Sequence, residues 1–479
     1  MFDYASAAVQ GAMAAGARYA DARVMVTRTE GMAAKNGVIE TLRQGESAGV
    51  GVRALFGSSW GFHATAALTD ADARRAGEQA TAIAKASATV AGPPLDLASI
   101  EAERGHWDSS WEVHPLDDVT LSEKGDLLVG LTETIQRAGI PLAEASYAIW
   151  DTEKWMVSSE GHRLSQHIVE CGALINATAI GDGETQRRSY PGIRGQYGTR
   201  GWELVRELDL PQHAERIADE AQALLSAPQC PAGTMDVVLG SEQMALQIHE
   251  SVGHAIELDR ILGWEAAFAG TSWLELSKMG HLRFGSEVMN ITADATLPGA
   301  LGSFGYDDEG TRAQKVDIIR DGVWVGVLSG RDSAARAGIE TGGMVRADGY
   351  NRLPMVRMTN VGLLPGESSL EEMVAATEEG ILMETNRSWS IDDHRLNFQF
   401  GCEVGWLIED GRRTRMVRNP TYTGISPTFW GSMDMVGNES EWTFWGTPNC
   451  GKGQPQQNGH TGHPAAPARF RGVRVGVRG

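Results

Sequence analysis

The stretch "MDVVLGSEQMALQIHESVGHAIELD", residues 235–259, decides how this chain is read. Residues 235–240 form a short apolar run that predicts a buried strand. Residues 242–253 suit a helix, with Ser241 as its N-cap. That helix carries His249, Glu250 and His254. A His-Glu-x-x-His helix sets two histidines four residues apart on one face, with the glutamate as base beside the metal they hold. Here the spacing is five. At 100° per residue the two side chains diverge by about 140°, so a regular helix cannot present both to one ion. A π-type turn, or a loosening at Gly253, returns them to one side. The sequence therefore predicts a local irregularity between residues 249 and 254.

Two histidines do not complete a catalytic zinc site, which takes three protein ligands and a water. The chain has four cysteines: Cys171, Cys230, Cys402 and Cys450. Cys402 shares a strand face with Leu396, Phe398, Phe400, Val404 and Trp406, and so reads as core. Cys171 alternates with Val169, Ala173 and Ile175 in the same way. Cys230 sits in a junction loop and stays open as a ligand. Cys450 lies in "TPNCGKGQ", residues 447–454, a polar, glycine-rich turn that gives it no packing role. It is the better ligand candidate. Glu257, Asp259, His460 and His463 also stay open, the last two in a tail after that turn.

The strand at 235–240 follows "SAPQCPAG", residues 226–233, which reads as a domain junction. Upstream, the chain reads as helix, antiparallel strands, helix. An alanine-rich helix at 4–16 has Asp3 as N-cap. Ala20, Ala22, Val24 and Val26 alternate with polar residues, as in a half-buried strand. Asn36-Gly37 signals a hairpin, and Ala48, Val50, Val52 and Ala54 share a further strand face. Thr69 and Asp72 start a helix that runs to about residue 88. Residues 89–117 have no clear period and contain Pro-Pro, a long connection. Helices at 120–138 and 211–226 flank strands over 143–200.

Downstream of the motif the chain is rich in strands and glycine. Asp321-Gly322 and Asp410-Gly411 signal two more hairpins. One helix starts at Ser369 with Glu372 and ends at Gly380. The fold class is α+β: an N-terminal α+β domain over 1–226 and a β-rich domain over 227–479 that carries the metal-binding helix.

Composition narrows the function. The 479 residues are 42% hydrophobic and 22% charged, as in an ordinary globular protein. A formal charge of -20 opposes binding to a nucleic-acid backbone. The one strongly basic run, "RFRGVRVGVRG" at the C-terminus, reads as a solvated end. Four cysteines make no disulfide framework and suit a reducing compartment. The N-terminus lacks the basic region of a signal peptide, and no apolar run is long enough to span a bilayer. The expected location is cytoplasmic, with no membrane and no nucleic acid as partner.

These residues resemble the TldD/PmbA family of metallopeptidases, also called modulators of DNA gyrase. The resemblance rests on "GARYADARV" at 16–24, "GVGVRALFGSSWGF" at 49–62, "HESVGHAIELD" at 249–259, "RMTN" at 357–360, "NPTYTGISPTFWGSMD" at 419–434 and "NCGKGQP" at 449–455. It covers the chain to about residue 455 and points to the catalytic, TldD-like branch. It implies a zinc ion held by His249, His254 and Cys450, with Glu250 as catalytic base. It also implies a two-domain subunit, a dimer around an enclosed cavity, and cleavage of unfolded or extended peptides. The partner is a second copy or a non-catalytic paralogue.

The expected chemistry is hydrolysis by a zinc-activated water, its proton taken by Glu250. Strand addition at a sheet edge would give sequence-independent peptide binding. Tyr422 and His460 are candidates for stabilising the oxyanion. A second reading makes the zinc structural in a non-catalytic scaffold, with His460 as fourth ligand. A third, nucleotide binding, is prompted by "GVGVRALFG" and "CGKG", but neither has the strand–loop–helix setting of a phosphate loop.

Overall fold

The computed structural model describes residues 1–90, 95–181 and 183–476. Helix α1 (Phe2–Ala14) leads into a long hairpin of strands β1 (Tyr19–Lys35) and β2 (Val38–Phe56). Asn36 and Gly37 join the strands with φ of 50° and 79°, the left-handed pair that an Asn-Gly hairpin turn requires. Met1, not Asp3, is the cap position of α1, and it makes no side-chain capping bond. Strand β3 (Ser59–Thr65) and helix α2 (Asp70–Ser87) follow, and the Thr69 side chain accepts from the Asp72 amide as the sequence predicts.

Residues 95–117 are not all irregular. Strand β4 (Arg104–Asp108) pairs in parallel with β6 (Arg163–Gly181). The Pro93-Pro94 pair read as part of this connection lies outside the described residues. Helix α3 (Leu121–Arg137) opens on a capping box of Thr120 and Glu123. Strands β5 (Leu142–Ser158), β6, β7 (Glu184–Tyr190) and β8 (Gln196–Gly198) complete an eight-stranded sheet whose main order is β3-β2-β1-β5-β6-β4. After a short helix α4 (Glu203–Glu207), α5 (Leu210–Ser226) packs with α3 on β5 and β6, while α1 and α2 cover β1 and β2.

The other face of this sheet is also covered. Asp21 and Arg23 are as buried as their apolar neighbours Ala22 and Val24, so the first part of β1, residues 19–25, is buried on both faces rather than half-buried. The second half of the chain lies on that face. Arg23 and Lys154 pair with Asp308 at 3.0 and 2.5 Å, and Arg53 pairs with Glu309 at 2.9 Å. Buried polar residues on a strand are stable when each meets an opposite charge.

Strand β9 (Gly233–Leu239) leads into α6 (Ser241–Ile248). Gly240 is the cap position, so Ser241 is already in the helix. β9 pairs with Glu379–Ile391 in parallel and with Ala468–Val475 antiparallel. Through Thr421–Ile425 and Asn397–Glu409 the pairing returns to Glu379–Ile391, closing a cycle of five strands. Residues 469–475 of the basic C-terminal run thus belong to a central strand rather than a solvated end, because Phe470, Val473 and Val475 are buried against β9. Both Asp-Gly hairpins form, with left-handed Asp321 and Asp410. The helix starting at Ser369 ends at Ala375, and Gly380 is paired instead with Asp236. Helices at Arg331–Ala337 and Ser426–Gly431 also interrupt this half. Among the described residues no helix is long and apolar enough to cross a membrane.

The largest core lies in this second half. Met244, Ile248 and Val252 pack there with Phe400, Tyr422, Trp430 and Phe470. Burying three such side chains stabilises the fold by roughly 1.5–3 kcal/mol each. That packing fixes one side of the motif helix and leaves the other side to carry chemistry.

Candidate metal centre

The α-helical bonding ends at Ile248, and residues His249–Gly253 form a single π-turn. Its mark is the bond from the His254 amide to the His249 carbonyl, five residues back, at 3.1 Å. The wider turn brings the two imidazoles together, with ring centroids 4.8 Å apart. This is the irregularity that the five-residue spacing predicts. Gly253 makes it possible for a second reason: a Cβ there would stand 2.2 Å from the Met358 sulfur.

Three buried groups converge. His249, His254 and Cys450 each turn a ligand-capable atom into a cluster no more than 4.8 Å across. Cys450 Sγ lies 3.6 Å from His254 Nε2. Cys450 is not in a turn but on the strand Thr443–Lys452, where the ladder is irregular between Thr447 and Cys450. The bulge turns the thiol away from regular pairing.

Hydrogen bonds behind the cluster set the histidine tautomers. Glu257 Oε2 accepts from His254 Nδ1 at 2.9 Å, which leaves Nε2 as a lone pair. Glu257 is itself held by Arg260 Nε at 2.6 Å and by Lys452 Nζ at 3.1 Å. Burial opposes its ionisation, but Lys452, Arg260 and His254 outweigh that and hold the carboxyl well below its usual range. Asp259 meets Lys452 at 2.7 Å. Neither carboxylate is in the converging trio; both support it.

On the other side, His463 Nε2 stands 2.7 Å from His249 Nδ1. His463 and His460 lie on the paired strand Gln457–Ala465, not in a loose tail. His460 faces elsewhere: its Nδ1 is 2.7 Å from Glu170 of β6 and its ring stacks edge-on with Trp150. It does not close the cluster as a fourth ligand. Tyr422 is fully buried, its hydroxyl between Gln243 and Gln247, and cannot meet a substrate. Cys171, Cys230 and Cys402 are buried core residues outside the cluster.

The donor set fits a metal cation. Burial, followed by the repulsion that protonated His463 or His254 would add, drives His249 well below the usual imidazole range. Burial and then Arg260 do the same to His254. Both rings are neutral donors. Burial pushes the Cys450 thiol upward against the opposing charge of Arg357, so a bound cation is what would hold it as thiolate. Two imidazoles and one thiolate suit a borderline-soft ion such as zinc.

The cluster opens on a polar cavity of about 370 Å³. Glu250 lines it, with Arg395 Nη1 3.0 Å from its Oε2. Burial raises the Glu250 carboxyl, against the pull of Arg395, Arg194 and Arg260. Arg194, Trp389 and Asn449 complete that wall. Sequence reading missed Arg194, Arg395 and the bridging role of His463.

A second grouping, His114, Asp151 and His167, also lies within 4.8 Å. Arg28 already occupies Asp151 at 2.5 Å, and Arg28 also pairs with Asp117, so this is an ion-pair cluster within the N-terminal sheet. The two glycine-rich segments that prompted a nucleotide reading lie within strand pairs, not before helices.

Comparison with known proteins identifies the family. The model of the PmbA/TldA metallopeptidase C-terminal domain matches residues 232–476, well past residue 455. The model of domain 1 of the same proteins matches residues 20–84. A metalloprotease of Methanocaldococcus jannaschii is 31% identical over 408 residues, 85% of this chain and 86% of that one. A metalloprotease TldD homolog of Haemophilus influenzae is 28% identical, covering 91% and 88% of the two chains. The crystal structure of TldE from Thermococcus kodakarensis superposes with a TM-score of 0.74 at 16% identity, over 99% of this chain and 100% of that one, which shows a shared fold. The chain belongs to the PmbA/TldA metallopeptidase family.

Proposed function

We propose that the protein is a zinc-dependent peptidase with His249, His254 and Cys450 as ligands and Glu250 as the general base. The observation that carries this reading is the π-turn: it costs regular helix bonding and has the effect of gathering two imidazoles beside a buried thiol and a glutamate. When bound, the metal supplies a water of lowered pKa and polarises the scissile carbonyl.

Glu250 takes the proton of the attacking water and returns it to the departing amine nitrogen as the C–N bond breaks. Arg395 orients its carboxylate through the 3.0 Å contact. Burial raises the carboxyl and so strengthens it as a base. Segment 385–391 lies beyond the end of β9's pairing with the strand Glu379–Ile391, and Trp389, Ser390 and Ile391 line the cavity. An extended peptide adding there would bring its backbone to Glu250 without regard to sequence.

The division at residues 226 and 227, the cytoplasmic setting and the dimer, with itself or with a TldE-like paralogue, belong to the same proposal. The TldE likeness supports such a partner. The test is metal content and peptide hydrolysis by the purified protein, compared with Glu250→Gln. Retained metal with lost hydrolysis supports the assignment. Unchanged hydrolysis overturns it.

A further inference from the structure

The cavity beside Glu250 is lined by two guanidinium groups, Arg194 and Arg395. They are not equivalent. Arg395 is engaged by Glu250 at 3.0 Å. Arg194 meets no carboxylate and no hydrogen-bond acceptor among the described residues. Its guanidinium carbon lies over Trp389, 4.3 Å from the ring centroid. Arg23, Arg53 and Arg188, which are more deeply buried, each meet a carboxylate, whereas buried Arg357 meets the Cys450 carbonyl instead.

Arg194 reaches this place from the N-terminal sheet. It follows β7 in a loop whose Gly192 packs against Glu242 at the start of α6: a Cβ at Gly192 would stand 2.8 Å from the Glu242 side chain. The backbone is thus pressed close to the helix and the guanidinium is carried over the pocket. Stacking on an indole fixes the plane of a guanidinium and leaves its N–H edge as the free surface. That edge matches a planar carboxylate through two parallel hydrogen bonds. Burial lowers Arg194, against the pull of Glu250, Glu242 and Cys450, so an arriving anion would relieve a desolvated cation.

We infer that Arg194, seated over Trp389, is a substrate anchor that binds the C-terminal carboxylate of a peptide lying in the Glu250 cavity. The inference rests on the peptidase reading and adds a substrate class to it: short peptides with a free C-terminal end. An internal Asp or Glu side chain offers the same carboxylate chemistry, and a developing oxyanion offers a related one. These three give different results.

The experiment uses zinc-loaded Glu250→Gln protein and calorimetric titration. Three probes share one length: an N-acetylated tetrapeptide acid with uncharged side chains, its C-terminal amide, and an amide with one internal Asp. The acid should bind about ten- to a hundredfold more tightly than its amide, the worth of hydrogen bonds to a charged group. Adding Arg194→Met should abolish that difference and leave amide binding unchanged, and Arg194→Lys should keep part of it. Equal binding of acid and amide, no binding of either, or an internal-Asp amide that matches the acid overturns the inference. So does an Arg194→Met protein that weakens both peptides alike.

Turnover by the protein with Glu250 intact separates the two claims. Selective binding of the acid with cleavage of neither peptide would sink the peptidase reading and keep the anchor. Cleavage of acid and amide with equal KM would keep the peptidase and sink the anchor. A loss of kcat on both peptides in Arg194→Met, with KM unchanged, would assign Arg194 to the oxyanion and overturn the anchor.

Discussion

His463 Nε2 stands 2.7 Å from His249 Nδ1, and His463 Nδ1 stands 2.9 Å from the carbonyl of Val361. A carbonyl only accepts, so His463 carries its hydrogen on Nδ1 and presents a lone pair at Nε2. His249 must then donate from Nδ1, and its Nε2 is left as the lone pair that faces Cys450 and His254. Burial pushes His463 down to about 4, so it is neutral near pH 7 and the relay holds. His463 never touches the cluster's centre yet determines the tautomer of one of its members.

His463→Ala is therefore expected to weaken metal affinity by about 10–100-fold while His249, His254 and Cys450 all remain. Competition against a chelator of known affinity measures it. An unchanged affinity would show that the His463 contact has no part in orienting His249.

The motif's geometry also depends on Gly253. An added Cβ meets the sulfur of Met358, which is 1% exposed. Gly253→Ala should cost about 1–3 kcal/mol, the usual range for overpacking a core. Met358→Ala in the same chain should recover part of that loss as a non-additive pair. Urea unfolding of the two single variants and the double variant checks this. A neutral Gly253→Ala would mean that the π-turn is not packed as tightly as described.

Asp308 joins the N-terminal sheet to the second half through Arg23 and Lys154. Burial works against its ionisation, but Lys154 and Arg23 outweigh it and lower the carboxyl to about 2. The unfolded value is near 3.9. A depressed carboxyl stabilises the fold fully above its unfolded value and loses that contribution as pH falls through its folded value. The contribution, about 2 kcal/mol, should thus fade between about pH 4 and pH 2. Asp308→Asn should cost about 3–5 kcal/mol near neutral pH by stranding two buried cations. The gap between variant and parent in urea should narrow below pH 4. A gap that stays constant with pH would rule out this source of stability.

Local rules made much of this fold legible. Asn36-Gly37, Asp321-Gly322 and Asp410-Gly411 form the hairpins their chemistry demands, and Thr69 and Ser369 cap their helices. The five-residue histidine spacing required a bulge, and a π-turn is present. What escaped depends on distant chain. The strand Ala468–Val475 looked like a charged tail because its pairing with β9 lies more than two hundred residues away. Asp21 and Arg23 looked exposed because the residues that bury them, such as Asp308, belong to the other half. Arg194 reaches the metal cavity only because a loop of one sheet is pressed onto a helix of the other half.

The central claim is that a metal ion held by His249, His254 and Cys450 works with Glu250 to hydrolyse peptides. The most direct measurement is Glu250→Gln purified in parallel with the parent protein, with zinc per chain and peptide turnover determined on the same samples. The account predicts equal zinc and a loss of turnover of at least about 10²–10⁴-fold, the range for removing a general base. Parental turnover by Glu250→Gln at full zinc occupancy would contradict it.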